Sequence, residues 1–463
     1  MTQPTHSQFT LFKTRKFLPL FCTQFLGAFN DNIYKNALII LIAFYGAQQF
    51  SIDTNVLINL AAGLFILPFF LFSATAGQIA DKYEKSLLIR RVKLAEIFIM
   101  LAGALAFWLE NLFLLLSILF LLGTQAVFFG PVKYAILPQH LDESELLGGN
   151  AQVEMGTFVA ILLGTIGGGL LASSHNMAFN MTIVLLIVAV AGYCASYFIP
   201  QANASCPELK INPNPLAETI HVIGMAKQNR TVFLSIIGIS WFWLLGAAYL
   251  TQIPNYTKEI LMGDSSVVTL LLSVFTVGVA CGSLICEKLS GHKVEIGLVP
   301  FGALGLTIFG IDLFFSSPDM VENSVAAASA SIAHTDLAHT QHFTDMLSSF
   351  ARGKILLDFM LLGFFGGIYA VPLYALIQQR SEEQNRARII AVNNILNALF
   401  MVVAALLGIL LLSVAGLSLP EFFLVIALMN IAVFCFIFYQ VPEFTTRFAL
   451  WLERARLRGD NKK

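Results

Sequence analysis

Five polar side chains lie close together in an otherwise apolar run of the sequence. The run extends from Phe17 to Tyr45, and its middle carries an acid, a base and three amides, which are Asn30, Asp31, Asn32, Lys35 and Asn36. Such groups can bind the polar part of a small molecule or exchange protons, and they are costly to place in hydrocarbon. Because Asp31 and Lys35 are four residues apart, they can also pair on one face of a helix. We expect either this pair or a polar patch that lines a cavity, and the three amides favour the patch.

A second group of reactive side chains lies on two later apolar segments. Lys133 and Tyr134 are on one segment, and Asn150 and Glu154 are on the next along the chain. The opposite charges of Lys133 and Glu154 predict an ion pair at the cytoplasmic end of a bundle, a contact with substrate, or both.

The composition identifies the elements that must position these residues. Hydrophobic residues make up 57% of the chain and charged residues only 12%, which excludes an ordinary soluble domain. Apolar runs of about 20 residues, the length that crosses a hydrocarbon core, occur twelve times. Their continuous apolarity predicts helices rather than a barrel. We therefore expect an all-α integral membrane protein with twelve transmembrane helices, near residues 17–45, 55–80, 87–109, 112–137, 150–173, 178–199, 231–253, 265–285, 294–316, 354–378, 389–414 and 420–440.

The basic residues predict how these spans are oriented. Most of the 27 Lys and Arg residues fall on segments that are inside if both termini are cytoplasmic. Because inner loops carry an excess of Lys and Arg, we expect a multi-pass protein with both ends in the cytoplasm. The first span is too long for a signal-peptide core, so we expect it to remain in the protein.

A polar stretch separates the first six predicted spans from the last six. Residues 200–229 are rich in Pro, Asn and Lys, and we interpret them as a cytoplasmic linker with a short interfacial helix over 216–228. The predicted organisation is a six-helix bundle over 1–199, the linker, a second six-helix bundle over 230–441, and a basic cytoplasmic tail over 442–463.

The two halves share one recognisable internal repeat. The segment PVKYAILPQHLDESELLGGNAQVE in the first half resembles PLYALIQQRSEEQNRARIIAVNNILN in the second. In this alignment Asn150 corresponds to Asn393 and Glu154 corresponds to Asn397. Asn394 is the residue next to Asn393. Parallel repeats put equivalent positions on opposite walls of one central cavity, so we expect these residues to line it.

Two glycine clusters occur within predicted spans. One covers Gly164 to Gly169 and the other Gly363 to Tyr369. Small residues at this spacing predict close helix packing or bending.

The predicted outer side carries several charged residues. In the loop 317–349, a loose metal site is conceivable, but the spacing matches no zinc pattern, and we interpret the loop as a low-complexity insertion without a metal. The candidate metal ligands of this loop are His334, His339, His342, Asp336 and Asp345.

Asp358 lies beside Lys354, which predicts an exposed ion pair, and we expect the same of Asp312.

A short loop joins the second and third predicted spans on the cytoplasmic side. Its sequence, GQIADKYEKS, begins with a glycine that allows close helix approach and includes an acid that can cap the next helix or pair with nearby bases. The loop resembles the signature of the major facilitator superfamily, apart from Glu84 where a second glycine is usual and Ser86 at a usually basic position. This resemblance implies a conformational latch between the halves, formed by Gly77, Asp81, Lys82, Lys85 and Arg90.

Several motifs together resemble the lysophospholipid transporter family of that superfamily. They are QFLGAFNDN, GQIADKYEKS, PVKYAIL, NAQVE with ILLGTIGGGLLA, and VPLYALIQQ with IAVNNILN. They are similar also to the transporter domain that some bacteria fuse to phospholipid-salvage acyltransferases. The resemblance implies the major facilitator fold and an alternating-access flippase that moves lysophospholipids, such as lysophosphatidylethanolamine, to the inner leaflet of the bacterial inner membrane. It also implies polar cavity or gate roles for Asp31, Asn32, Lys133 and Glu154.

The chain departs from this family in its seventh span. Family members carry an arginine there, which would suit a phosphate or oppose the first-helix acid. This span offers Trp241, Trp243 and Tyr249 instead, and Lys35 is the candidate substitute for the arginine. No His is followed five residues later by Asp, the spacing that acyltransferases use, so we do not expect the chain to be an enzyme.

Two other functions stay open at this stage. A proton-coupled exporter of a siderophore, drug or metabolite would use Asp31 or Glu154 for coupling. A non-transporting scaffold would dock an acyltransferase through the basic tail RFALWLERARLRGDNKK. The expected partners are an amphiphilic small molecule, membrane lipid and, for the scaffold, an acyltransferase. Neither a nucleic acid nor a cofactor is expected.

Overall fold

The chain folds into helices, in a computed structural model that describes residues 8–49, 54–291, 293–317, 342–348 and 350–460. All regular elements within these ranges are helical, which confirms the all-α prediction. A helix covers each of the twelve predicted spans, and ten of these helices are long and apolar enough to cross a membrane. The spans near 17–45 and 87–109 are outside these ten because polar and charged side chains interrupt them.

The helices follow one another in a simple order. The first six long helices are α1 (Leu18–Gln49), α2 (Thr54–Lys82), α3 (Lys85–Trp108), α4 (Leu112–His140), α5 (Glu143–Ala172) and α6 (Met177–Tyr197). The predicted linker helix is present as α7 (Pro215–Gln228). The later helices are α8 (Arg230–Glu259), α9 (Ser265–Ser290), α10 (Leu298–Ser316), α11 (Phe343–Ser348), α12 (Phe350–Arg380), α13 (Arg386–Gly408), α14 (Leu419–Gln440) and α15 (Glu443–Asp460).

The chain divides into two compact units that do not follow chain order. Unit 1 consists of Met1–Ile237, Gly291–Val294 and Tyr374–Ala398, and unit 2 consists of Gly238–Ser290, Glu295–Leu373 and Leu399–Lys463. Unit 1 therefore includes the end of α12 and the beginning of α13. The domain boundaries predicted at residues 199 and 230 stay a prediction.

Glycine allows α5 to approach α1 closely within unit 1. A methyl group on Gly164 would lie 2.7 Å from the Phe29 carbonyl oxygen, and one on Gly168 would lie 2.6 Å from that of Ile33. Helices with small residues four apart pack backbone against backbone in this way. The packing role predicted for this cluster is confirmed.

The second glycine cluster packs α12 against α9 within unit 2. A methyl group on Gly282 would overlap the carbonyl oxygen of Phe364, and one on Gly363 would overlap that of Phe275. The two helices thus offer glycines to each other's backbones, and close packing is again the observed role.

The basic tail forms α15, which packs against other helices of unit 2. Trp451 donates a hydrogen bond from its indole N–H to the Leu289 carbonyl at 3.0 Å. Its ring lies 5.5 Å from that of Phe301. Exposed Leu450 and Leu457 are on the rest of the helix.

The charged residues predicted to lie near the outer side are arranged differently from the expectation. Lys354 pairs with Asp312, with 2.8 Å between Nζ and Oδ1. Asp358 is only 1% exposed, so the exposed Asp358–Lys354 pair is wrong, because α10 supplies the partner of the lysine. Most of the predicted histidine-rich loop, residues 318–341, is outside the described residues.

Candidate functional site

Two of the amides on α1 face α5. The Asn36 amide donates to the Asn32 carbonyl at 2.9 Å and to the Thr165 hydroxyl at 3.1 Å. The Asn32 amide donates to the Ala28 carbonyl at 2.8 Å, and a methyl group on Gly164 of α5 would lie 2.7 Å from the Asn32 Cβ. These amides therefore stabilise the contact between α1 and α5.

Asp31 and Lys35 are on the same side of α1 without pairing. The described residues include no ion pair between them within 4.0 Å. Asp31 Oδ1 has no hydrogen-bond partner in the described part of the chain. Lys35 Nζ lies 5.5 Å from the centre of the Phe65 ring on α2, a cation–π arrangement. Both residues are partly exposed, although the Asp31 Oδ1 atom itself is buried.

The third amide belongs to a buried network that the sequence analysis did not identify. Lys93 and Glu96 form an ion pair on α3, with side chains 1% and 0% exposed. Glu96 also accepts from Gln125 at 2.9 Å and from Asn30 at 3.3 Å. The network therefore links α1, α3 and α4, and Asn30 extends it to α6 through the Leu185 carbonyl at 3.4 Å.

Space for the buried lysine comes from two glycines. A methyl group on Gly27 would lie 3.1 Å from Lys93 Nζ, and one on Gly192 would lie 2.9 Å from Lys93 Cε. Counting Lys and Arg residues by segment assigns Lys93 to the cytoplasmic side, whereas the structure buries it. The sequence feature that indicates this buried pair is a base and an acid three residues apart inside the predicted span 87–109.

The predicted Lys133 and Glu154 are near each other but bind other groups. The Tyr134 hydroxyl donates a hydrogen bond to Glu154 Oε1. Lys133 Nζ lies 4.5 Å from the centre of the Tyr134 ring. The Tyr134 ring stacks on Tyr374, with 4.7 Å between ring centres and 5° between their planes. Tyr134 is thus the centre of this cluster, and the structure places it between Glu154 and Tyr374.

A reciprocal amide pair joins Asn150 to Gln378. The Asn150 amide donates to Gln378 Oε1 at 2.7 Å, and the Gln378 amide donates to Asn150 Oδ1 at 2.9 Å. Both side chains are at most 1% exposed. The Asn150 amide also donates to the Leu146 carbonyl at 2.9 Å. Separating the pair would therefore leave Asn150 Oδ1 and the Gln378 amide without these partners, at a cost in free energy.

The Asn residues predicted from the repeat are all buried. Asn393 is 1% exposed, Asn394 is 9% exposed and Asn397 is 8% exposed. The Asn394 amide packs against Gly130 on α4, since a methyl group there would lie 2.6 Å from Nδ2. The repeat thus brings one of them against a helix of the first half, within unit 1.

Gly77 and Asp81 of the predicted latch contact the beginning of α13. Asp81 Oδ1 accepts from the Ala387 N–H at 3.0 Å, and Oδ2 accepts from Arg388 Nε at 3.0 Å and its N–H at 3.2 Å. A methyl group on Gly77 would lie 2.8 Å from the Ala391 Cβ. The carboxylate thus meets both an arginine and a helix N-terminus, where negative charge is favoured.

The three bases predicted to act with Asp81 have other contacts. Lys85 Nζ donates to the Ser205 hydroxyl at 2.7 Å and the Asn203 carbonyl at 3.2 Å. Arg90 donates to the Ile199 carbonyl at 3.3 Å, and Lys82 lies over the Tyr83 ring at 6.0 Å. Lys85 and Arg90 therefore hold the segment after α6.

Glu84, which replaces the usual second glycine of the loop, also binds this segment. It caps α3 by accepting from the N–H groups of Ser86 and Leu87, at 2.9 and 2.6 Å, and it accepts from the Ala202 N–H at 2.7 Å. Burial raises the pKa of the Glu84 carboxyl, but these hydrogen bonds outweigh it, and the pKa lies below its ordinary value. The segment after α6 is therefore attached to the loop between α2 and α3.

Comparisons with known proteins agree on the class of protein. A family model described as Major Facilitator Superfamily matches residues 20–338. The lysophospholipid transporter LplT of Serratia proteamaculans is 27% identical over 402 residues, which cover 85% of this chain and 87% of that protein. The Escherichia coli fucose:proton symporter FucP has a similar fold, with a TM-score of 0.65 and 13% identity over 91% of this chain and 97% of that one. The human organic anion transporter MFSD10 has a TM-score of 0.70 and 11% identity, over 91% and 99% of the two chains.

Proposed function

The chain belongs to the major facilitator superfamily, and we propose that it is a secondary transporter that flips a lysophospholipid across the bacterial inner membrane by alternating access. The observation that carries the proposal is the likeness, over 85% of the chain, to a protein named as a lysophospholipid transporter. The chain is a multi-pass membrane protein by its helices and its family. The inner membrane and cytoplasmic termini are part of the proposal.

The polar and aromatic side chains of α1 suit such a substrate. A lysophospholipid has a charged phosphate headgroup and one acyl chain, so its path needs accessible charge beside apolar walls. Lys35 is the candidate for the phosphate, because an aromatic ring rather than a carboxylate is its neighbour. Asp31 is the candidate for a basic part of the headgroup, since Oδ1 has no partner in the described chain. Phe21, Phe25 and Phe29 stack one turn apart on the same helix.

The contacts between the two predicted bundles suit a cytoplasmic gate. We assign this role to the pairs Asp81–Arg388, Asn150–Gln378 and Tyr134–Tyr374, which would separate when the path opens to the cytoplasm. Asn393, Asn394 and Asn397 would then line the path opposite Glu154, as the repeat predicts. Lys133 is part of this proposed lining.

Transport in liposomes tests the proposal. Purified full-length protein would be reconstituted, and inward transfer of fluorescent lysophosphatidylethanolamine would be followed by quenching of the outer leaflet. We expect protein-dependent transfer that falls at least tenfold in Asp31→Asn and Lys35→Gln. Asp142→Asn is the matched control, because its side chain is 84% exposed. Transfer equal to that of protein-free liposomes would reject the proposal.

The same liposomes distinguish the other candidate functions. A proton-coupled exporter would require a pH gradient, and a scaffold would bind an acyltransferase without moving lipid. Flipping that continues after the gradient is collapsed would exclude the first. Measured transfer by the protein alone would exclude the second.

A further inference from the structure

The five polar residues of α1 face three directions around the helix. An α-helix turns about 100° per residue, so Asp31 and Lys35 lie about 100° and 140° around the axis from Asn30. Asn32 and Asn36 lie further round, at about 200° and 240°. The two charged residues therefore share one face, which has an amide face on either side. Rotation of α1 about its axis decides where the charged face points.

The first amide face is held by the buried network of α3. Asn30 is 0% exposed, and its amide donates to Glu96 Oε1 at 3.3 Å and to the Leu185 carbonyl on α6 at 3.4 Å. Glu96 is fixed in turn, because it also pairs with Lys93 and accepts from Gln125 at 2.9 Å. The acceptor therefore cannot follow Asn30 when α1 turns.

The second amide face is held by α5. The Asn36 amide donates to the Thr165 hydroxyl at 3.1 Å, and a methyl group on Gly168 would lie 3.1 Å from the Asn36 Cβ. The backbone of α5 thus lies directly against this face. Contacts on two different sides of a helix oppose its rotation more strongly than contacts on one side, because turning the helix breaks both sets together.

We propose that Asn30 and Thr165 are positioning residues, which fix the rotation of α1 and thereby hold Asp31 and Lys35 towards the substrate path. Thr165 acts from α5 through Asn36. This role rests on the proposed function, in which the charged face binds the headgroup. If α1 takes several rotations, only the fraction with the charges towards the path binds substrate, and the apparent affinity falls by that fraction. The maximal rate is kept, because bound substrate favours the competent rotation.

Thiol labelling tests the rotation without any transport. Lys35→Cys and Ala37→Cys would each be introduced into the full-length protein in lipid nanodiscs, and reaction with N-ethylmaleimide would be assigned to each cysteine by mass spectrometry. Position 37 is the buried reporter, since Ala37 is 0% exposed and lies on the Asn30 side of α1. With Asn30→Leu and Thr165→Val also present, we expect labelling to slow at position 35 and to quicken at position 37, each by about threefold or more. Any other pattern, such as unchanged rates or rates that rise together, would overturn the proposal.

Transport kinetics separate positioning from a loss of folded protein. In the liposome assay, Asn30→Leu with Thr165→Val should raise the KM for lysophosphatidylethanolamine about fivefold and keep the maximal rate within about twofold. A loss of folded protein would instead lower the maximal rate and leave KM unchanged. Thr165→Ser keeps the hydroxyl and should behave as the wild type. Thr124→Val is the matched control, because the Thr124 hydroxyl donates to the Phe120 carbonyl of its own helix at 2.9 Å.

The positioning role and the proposed function fail on different results. A wild type that moves no lipid would reject the proposed function, and the labelling rates would still decide the rotation of α1. A wild type that moves lipid with the same KM as the double variant would reject the positioning role. If the double variant does not fold, Thr165→Val alone keeps the shape of the side chain and should give the same changes to a smaller extent. No change in either measurement would then overturn the proposal.

Discussion

Asp81 on α2 binds Arg388 on α13 through both the side chain and the backbone of the arginine. Asp81 Oδ2 is 3.0 Å from Arg388 Nε and 3.2 Å from its N–H, and the carboxylate is fully buried. Charge-assisted hydrogen bonds of this kind are stronger than neutral ones. The residues are 307 positions apart in the chain, so this contact holds distant parts of the sequence together.

Asp81→Asn should loosen the start of α13. The substitution removes the negative charge of Asp81, which interacts favourably with the N-terminus of α13 and with Arg388. Hydrogen bonds to charged groups contribute about 1.5–3 kcal/mol to stability. We expect roughly tenfold or faster hydrogen exchange in peptides that cover 384–392, measured by mass spectrometry. Asp142→Asn, at an exposed site, should leave the exchange unchanged. Equal exchange in Asp81→Asn and wild type would contradict the assignment.

The Asn150–Gln378 pair should behave as a coupled unit. Asn150→Ala and Gln378→Ala each leave a buried amide without its partner, at a cost of about 1–3 kcal/mol. The double variant loses both groups together, so its destabilisation should be smaller than the sum of the two. Thermal unfolding in detergent measures the three values. Additive effects would show that the two amides do not interact in the protein.

The buried Lys93–Glu96 pair should be sensitive to the loss of one partner. Glu96→Gln or Lys93→Met leaves the other charge buried without compensation, which costs about 3–5 kcal/mol. The double variant Lys93→Met with Glu96→Gln buries no charge and keeps an acceptor oxygen for the Gln125 and Asn30 amides, so it should recover much of the lost Tm. A double variant that is less stable than both single variants would contradict this expectation.

Gly282→Ala should disrupt the contact between α9 and α12. The added methyl group would overlap the Phe364 carbonyl oxygen, and a backbone cannot move aside as a flexible side chain does. We expect a fall in Tm and in the yield of folded protein. Gly246→Ala is the matched control, because nothing lies within 4 Å of its new methyl group, and helix propensity favours Ala by about 1 kcal/mol. Similar losses in both variants would reject the packing argument.

Glu84→Gln should reduce stability in a pH-dependent way. The folded pKa of Glu84 is lowered by its hydrogen bonds, so the stabilisation is present above the unfolded value of about 4.3 and is lost as the pH falls through the folded pKa. The Tm difference between wild type and Glu84→Gln should therefore be present at neutral pH and shrink in acid. Glu259→Gln, at an exposed site, should show no such trend. A difference that is constant with pH would contradict the ionised cap.

The order and type of the helices could be predicted from the sequence because hydrocarbon leaves few choices. Long apolar runs must satisfy their own backbone hydrogen bonds, so each becomes a helix. The sequence also shows the polar residues Asp31 and Lys35 within an apolar run, the loop signature around Asp81 and the two glycine clusters. These are local properties, which depend on residue type and spacing along one segment.

Tertiary structure alone decided which partners these residues have. The sequence offered Lys82, Lys85 and Arg90 to Asp81, yet the distant Arg388 binds it. Asp31 and Lys35 stay unpaired within 4.0 Å in the described chain, although their spacing allowed a pair. Lys93 is buried, although the count of basic residues assigns it to the cytoplasmic side, and Asp358 is buried, although Lys354 beside it predicted an exposed pair. The physical reason is that a partner is chosen by distance in space, and the packing of helices far apart in the chain sets that distance.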